Sequence, residues 1–362
     1  MVAGKMIVTA AWLLAAYAPE GAPASRPTAS SSTPPPPARV EDDHARPAPG
    51  GQKTFGDWTV ACDNTRRCAM ASLGGADGAF PPVTAQLTRK AGPDGGYEIA
   101  IAALSDDTLG PAALIVDGRR FPLSGDGMAG AAARMLAAAI ASGRVLNVRD
   151  TTGAAIGGIS LAGAAAALRY IDAAQGRAGT VTATVATGTR TAATVPAATN
   201  PPRVRAIAPA GAAATLTPAQ LAGMRRTATC EDRATQWPPR TQGLADGTTL
   251  VLLPCSSGAY NEIDALFVVR NGRIAPAEVD APAGFEVTGA DTATPVHSIV
   301  NGAVDGDLVT SYAKGRGLGD CGVTQGFVWD GRRLRLVEQR AMGECRGNPD
   351  YLTVWRATVV RP

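Results

Sequence analysis

Few side chains in this sequence stand in patterns that chemistry would need. Gly158-Ile159-Ser160-Leu161-Ala162 comes close to a nucleophile elbow, a serine on a sharp turn between strand and helix. A serine nucleophile needs a base, and the histidines are His44 and His297. His44 sits in low-complexity sequence beside Asp42 and Asp43, where it reads as solvated. His297, flanked by Pro295, Val296, Ser298 and Ile299, reads as a half-buried strand residue, and Ser160 as a helix cap. The glycines of Lys314-Gly315-Arg316-Gly317-Leu318-Gly319-Asp320 would wrap backbone amides around an anion if Lys314 and Arg316 helped. Phosphate loops lead straight into a helix. Here a cysteine-bearing strand follows, so a tight turn and close strand approach is the expectation. Asp305, Asp307 and nearby Asp320 are the carboxylates that a glycosidase or a calcium site would draw on. A glycosidase needs two at a set separation, one with a raised pKa, whereas Asp305-Gly306-Asp307 is ordinary turn chemistry. Trp237, in Gln-Trp-Pro-Pro-Arg, lies on a loop beside prolines. With Arg240, Lys314 and Arg316 it forms the recognition face that the sequence offers. No catalytic residue, metal or cofactor is expected.

The six cysteines fall as local pairs: Cys62 with Cys68, Cys230 with Cys255, Cys321 with Cys345. An even count with local spacing points to disulfides in an oxidising compartment. Several pairings are open, and the sequential one is expected. A zinc site is disfavoured by the lack of a C-x-x-C and the scarcity of histidine. The N-terminus agrees with export. Lys5, the apolar run Met6–Leu14 and Ala16-Tyr17-Ala18 read as a secretory signal over residues 1–18. Its apolar core is too short for a stable membrane span, no cysteine follows it for lipid attachment, and no later segment reads as membrane-spanning. The net charge of +3 is too small to argue for nucleic acid or an anionic membrane, and no basic run is interleaved with aromatics.

Apolar residues make up 45% of the chain, enough for real cores, while 42 glycines and 27 prolines supply turns and linkers. Residues 19–53 are Pro/Ser-rich and read as a disordered tether. Order begins at Phe55-Gly56-Asp57-Trp58, where Trp58, Val60 and Cys62 alternate as in a strand. Strands follow at 84–89 and 97–104, and a hairpin turns at Asp117-Gly118. The Ala-rich stretch Met128–Ser142 reads as a helix with Gly143 after it. A second helix is expected over Leu161–Ala174, with Ser160 as cap and Gly176 ending it. Ala, Thr and Pro dominate 181–210, read as the linker between a domain at 54–180 and one at 211–362. Thr217 and Gln220 are spaced as a capping box around Pro218. From Thr248 on, short alternating runs read as a β meander, with turns at Asn271-Gly272 and Asp330-Gly331. A two-residue turn at the latter sets Trp329 opposite Arg332 and Phe327 opposite Leu334. One face then carries Phe327, Trp329, Leu334 and Leu336.

Trp58…Cys62…Cys68, the alanine helix, Arg144–Asp150 (RVLNVRD) and the segment Ile159–Leu168 resemble the invasion-associated locus B domain of proteobacterial exported proteins, over roughly residues 54–175. That resemblance implies an immunoglobulin-like β-sandwich with added helices, ahead of the C-terminal antiparallel meander: a mainly β protein with α+β elements. The tail's KGRGLGDCG and GECRG, with the N-terminal FGDW…CDN…C, resemble the family labelled domain of unknown function 1176 over most of the mature chain. It implies an exported bacterial protein without a defined activity. The expectation is therefore a periplasmic or secreted protein of a Gram-negative bacterium. It would be a non-catalytic binding or structural module for an envelope or host-surface macromolecule. The alternative is an envelope enzyme, or an inhibitor of one, acting on cell-wall glycan.

Overall fold

The computed structural model describes residues 46–104, 110–123, 125, 127–280 and 296–361. The signal read at 1–18, and the stretch 19–45 with His44, lie outside them. Strand and turn chemistry build the first half in chain order. Its elements are β1 (Gln52–Phe55), β2 (Trp58–Cys62), β3 (Cys68–Ser72), β4 (Val83–Arg89), β5 (Tyr97–Ala103), β6 (Pro111–Val116), β7 (Arg119–Pro122), β8 (Gly127–Ala129), α1 (Gly130–Ser142), β9 (Val145–Asp150), β10 (Ala155–Ser160) and α2 (Ala164–Ala174). One antiparallel sheet runs β1-β2-β3-β4-β5-β8 and a second β10-β9-β6-β7. Their facing residues share one core: Trp58, Val60, Met70, Leu87 and Ile99 from the first, Leu114, Val116, Leu146 and Val148 from the second. Both helices pack into it. The buried positions of α1 are Ala133, Leu136, Ala137 and Ile140, the i, i+3, i+4, i+7 stripe of an amphipathic helix.

Two boundaries differ from the sequence reading, and each has a cause. Met128 and Ala129 belong to β8, paired with Ile99 and Glu98 of β5, so α1 starts two residues late. The N-cap of α2 is Gly163, not Ser160. Gly163 has φ 90°, and a Cβ there would sit 1.8 Å from the Phe55 carbonyl. The Leu161–Gly163 turn crosses directly over β1, where only glycine fits.

The second half comprises β11 (Arg203–Arg205), α3 (Pro218–Thr227), β12 (Arg240–Gly243), β13 (Thr249–Ser257), β14 (Glu262–Arg270), β15 (Arg273–Pro276), β16 (Ser298–Val300), β17 (Ala303–Asp305), β18 (Leu308–Lys314), β19 (Gly322–Trp329), β20 (Leu334–Met342), β21 (Leu352–Arg356) and β22 (Thr358–Val360). One sheet runs β12-β13-β14-β15, with β16 also on β14. The other runs β17-β18-β19-β20-β21. Leu250, Leu252, Leu266 and Ile299 of the former meet Phe327, Trp329, Leu334 and Leu336 of the latter in a second core. Helix α3 has the capping box at Thr217 and Gln220 and covers the outer face of β13 and β14 through Met224. Mainly β is thus the class.

Turns at Asp117-Gly118 and Asn271-Gly272 join directly paired residues, Val116 to Arg119 and Arg270 to Arg273. Asp330-Gly331 does not. Trp329 pairs with Leu334 and Phe327 with Leu336, so the loop holds four residues. The Asp330 carboxylate accepts the amides of Arg332 and Arg333 at 2.7 and 2.8 Å, a side-chain turn that displaces the two-residue one. Because the slip is an even number, the apolar face survives.

Two stretches read as loose are fastened. Gly50 donates to the Val354 carbonyl at 2.9 Å, and Gln52 and Lys53 of β1 pair with Ala61 and Val60 of β2, so residues 50–53, expected to be part of a disordered tether, belong to the fold. The segment after α2 is held by Arg177, which is fully buried. Its guanidinium donates to carbonyls of Lys90, Gly92, Pro93 and Gly95, to Gln175 and to Thr182. Burial, with Arg89 beside it, pushes its pKa down to about 10. Asp172 accepts the amides of Thr184, Val185 and Ala186, and β11 pairs in parallel with β22.

Candidate functional site

The six cysteines form Cys62–Cys68, Cys230–Cys255 and Cys321–Cys345, leaving none free. Sulfur is therefore occupied in bridges, of which Cys62–Cys68 joins two strands, β2 and β3. Ser160 hydrogen-bonds the Asp57 carboxylate, and that bond, followed by the Arg346 guanidinium at 2.7 Å, holds Asp57 below the usual carboxylate range. An acid held so low makes a poor base. His297 is on the other half of the fold, its Nδ1 3.0 Å from the Ala277 carbonyl. Asp307 pairs with Arg361 at 2.8 Å, Asp305 sits on the exposed β17–β18 turn, and Asp320 is wholly buried. Among the described residues no group of three His, Cys, Asp or Glu could hold a metal ion.

The glycine-rich loop between β18 and β19 is a clasp. Asp320 accepts Arg316 Nε at 2.6 Å and the Gly347 amide at 2.6 Å. Burial alone would raise its pKa, but Arg316 and that amide bring it below the ordinary value. The same Arg316 donates at 2.7 Å to the carbonyl of Gly78, in the first half. Gly315 donates to the Cys321 carbonyl, and a Cβ on Gly315 would meet Cys321 Sγ at 2.8 Å. Gly319, at φ 74°, offers its carbonyl to both Tyr312 and Tyr351 at 2.5 and 3.1 Å. Tyr260 reaches the Gly315 carbonyl at 3.0 Å, and Asn261 that of Lys314 at 3.0 Å. The loop's polar groups are thus turned inward, as strand-approach glycines require.

Nearby contacts complete the seam between the halves. Ala61, Ala71 and Leu73 pack with Cys321, Met342, Leu352 and Val354. Arg346 grips Asp57 and the Gly74 carbonyl, Arg356 grips Asp63 at 2.5 Å, and Asp350 receives Thr84 at 3.0 Å.

What the clasp presents outward is apolar. Leu318 is 62% exposed, Phe80 44% and Tyr260 41%. Leu318 stands two residues from Arg316, and Phe80 two from the Gly78 that Arg316 holds. Tyr260 is bonded to the loop itself. Lys314 lies over the Tyr312 ring at 5.5 Å. Of the recognition face read from the sequence, Lys314 and Arg316 stand here. Arg240 is engaged elsewhere, with Glu262 at 2.6 Å and with the fully buried Asp264. Burial pushes Asp264 up to about 7 against the opposing pull of Arg240 and the Gly302 amide. Trp237 is half-buried, its carbonyl taken by Arg225 at 3.1 Å. Phe80, Tyr260 and Leu318 escaped the sequence reading. Each is a large apolar residue inside a turn, with no alternating neighbour to pair with, and that isolation was the available signal.

These features define a three-disulfide, antiparallel β protein whose two halves are joined by a clasp of half-buried Arg316 on buried Asp320. Among the described residues, no helix is long and apolar enough to cross a membrane. The chain belongs to the family described as "Protein of unknown function (DUF1176)", whose model matches residues 52–359. It is similar to the uncharacterized protein YpfG of Escherichia coli (strain K12), at 30% identity over 342 residues, covering 84% of this chain and 92% of that protein. A crystal structure of invasion associated protein B from Bartonella henselae is also similar, at 19% identity and a TM-score of 0.29, covering 35% of this chain and 99% of that one.

Proposed function

We propose that this is an exported, non-catalytic binding module of a Gram-negative envelope, periplasmic or secreted, that recognises an envelope or host-surface macromolecule through the rim of Phe80, Tyr260, Leu318 and Lys314. The observation that carries this reading is the pairing of exposed apolar side chains with a rigid support. Large exposed apolar residues on a soluble surface mark interaction sites, and pre-organised loops lower the entropic cost of using them. Phe80 comes from the first half and the others from the second, so on this reading the halves act together. The disulfides suit the compartment. The commitment of Asp57, Asp307 and Asp320 to arginine partners favours binding over hydrolysis.

A photo-crosslinking residue placed at Leu318 tests the reading, with the 48% exposed Met135 on helix α1 as control position. Envelope preparations should give a discrete adduct from position 318 and none from 135. Equal labelling at both positions refutes the rim. Turnover of peptidoglycan fragments, read by mass spectrometry and lost in Asp305→Asn, Asp307→Asn or Asp320→Asn, refutes the non-catalytic assignment.

A further inference from the structure

Independently of that rim, the second half contains a cavity of about 470 Å³ between the end of α3 and the face of β14 and β16. It lies in the size range of small-molecule sites. Ile263, Ala265, Leu266, Phe267 and Pro276 give it an apolar wall, and Thr227, Thr229, Ser256, His297 and Ser298 supply polar atoms. None of the described residues that line it is Asp, Glu, Lys or Arg. Ser298 is 7% exposed, and its Oγ is buried without a hydrogen-bond partner. It pairs with Ala265 across the sheet, so both side chains stand on the α3 face, where Ala265 joins the core beneath Met224. A buried hydroxyl left unpaired is destabilising, and none of the described residues bonds it. At the mouth, Thr229 holds φ 55° as the left-handed residue that ends α3, its amide donating to the Arg226 carbonyl and that of Cys230 to the Arg225 carbonyl.

We infer that this cavity binds a small uncharged amphiphile, an apolar or aromatic body carrying one hydrogen-bonding group that Ser298 engages. The uncharged character follows from the wall. An ion would lose its hydration with no countercharge to replace it, whereas a carbonyl, hydroxyl or amine would satisfy Ser298. His297 Nδ1 faces a carbonyl that only accepts, so the ring donates there and is fixed in orientation.

The full mature protein is titrated with N-phenyl-1-naphthylamine, a neutral fluorescent amphiphile with one N–H. In parallel it is titrated with 8-anilino-1-naphthalenesulfonate, the same skeleton bearing a charge. The neutral dye should saturate at one equivalent and bind at least about tenfold more tightly than the sulfonate. Ser298→Ala should weaken the neutral dye about tenfold, yet raise the Tm of the free protein by about 2 °C by deleting the orphan hydroxyl. A residue with only a structural role would not move those two readouts in opposite directions. Thr227→Trp, at the exposed mouth, should block the dye while leaving the Tm unchanged. Three results overturn the inference: no saturable binding of the neutral dye, equal affinity for the sulfonate, or binding that survives Thr227→Trp.

Discussion

Asp264→Asn should remove a pH dependence of stability that the natural protein carries. Asp264 is a buried residue of β14, paired with Pro254 of β13 and Ile299 of β16, and its pKa rises from the ordinary 3.8 to about 7 because burial outweighs Arg240 and the Gly302 amide. A carboxyl whose folded value lies above its unfolded one stabilises the protein fully below about pH 4. That contribution is lost as pH rises through about 7. Between pH 5 and 8 the linkage relation makes the loss about 2–3 kcal/mol. With an m-value of about 3 kcal/mol/M in urea, the unfolding midpoint should fall by close to 1 M over that range. Asparagine keeps the shape but cannot ionise, and Arg240 still holds Glu262. The variant's midpoint should therefore stay level from pH 5 to 8. Urea unfolding of both proteins at both pH values isolates Asp264, because every other titrating group cancels in the difference. If the gap between natural protein and variant is the same at pH 5 and pH 8, the carboxylate is ionised throughout. The claim that burial wins would then be wrong.

Arg177→Met should cost at least about 3 kcal/mol, since it strands the carbonyls of Lys90, Gly92, Pro93 and Gly95 in a buried site. Hydrogen exchange should show protection lost over 180–186, and Arg177→Lys should not restore it, because a point charge cannot span that fork. Replacing Cys230 and Cys255 together by Ser should lower stability by about 3 kcal/mol in the chain-entropy picture for a separation of 25 residues, read by urea unfolding without reductant. Gly163→Ala, which meets both the positive φ and the Phe55 carbonyl, should lose about 3 kcal/mol or more. Gly51→Ala, with open space around it, should change the thermal midpoint by little.

What was legible in the sequence was local. Alternation placed Trp58, Val60, Phe327 and Trp329 on buried faces, and the sequential cysteine pairing, one of several left open by spacing, is the one formed. Two turns obeyed their dipeptides because nothing competed with Asp117-Gly118 or Asn271-Gly272. Asp330-Gly331 failed as a two-residue turn because its own carboxylate took amides two and three residues on, a choice that dipeptide statistics do not contain. Gly163 as cap was invisible because its necessity comes from Phe55, more than 100 positions away in the chain. The candidate site was half legible. Lys314 and Arg316 were singled out, but Arg316's partners, Asp320 and Gly78, turn it from a free cation into a support. Arg240 looked exposed only because Asp264 and Glu262 meet it from β14, one strand beyond its own partner β13. Long-range pairing of this kind leaves no periodic trace.

The seam has a consequence for biosynthesis. Ala61, Ala71 and Leu73 emerge early but are covered only by residues 321–354, and Asp63 waits for Arg356. During synthesis the first half must wait with a bare apolar flank and an acid that lacks its guanidinium partner. Sequence-distant closure is also slow. Nascent or C-terminally shortened chains should thus depend on chaperones and be the preferred prey of quality-control proteases.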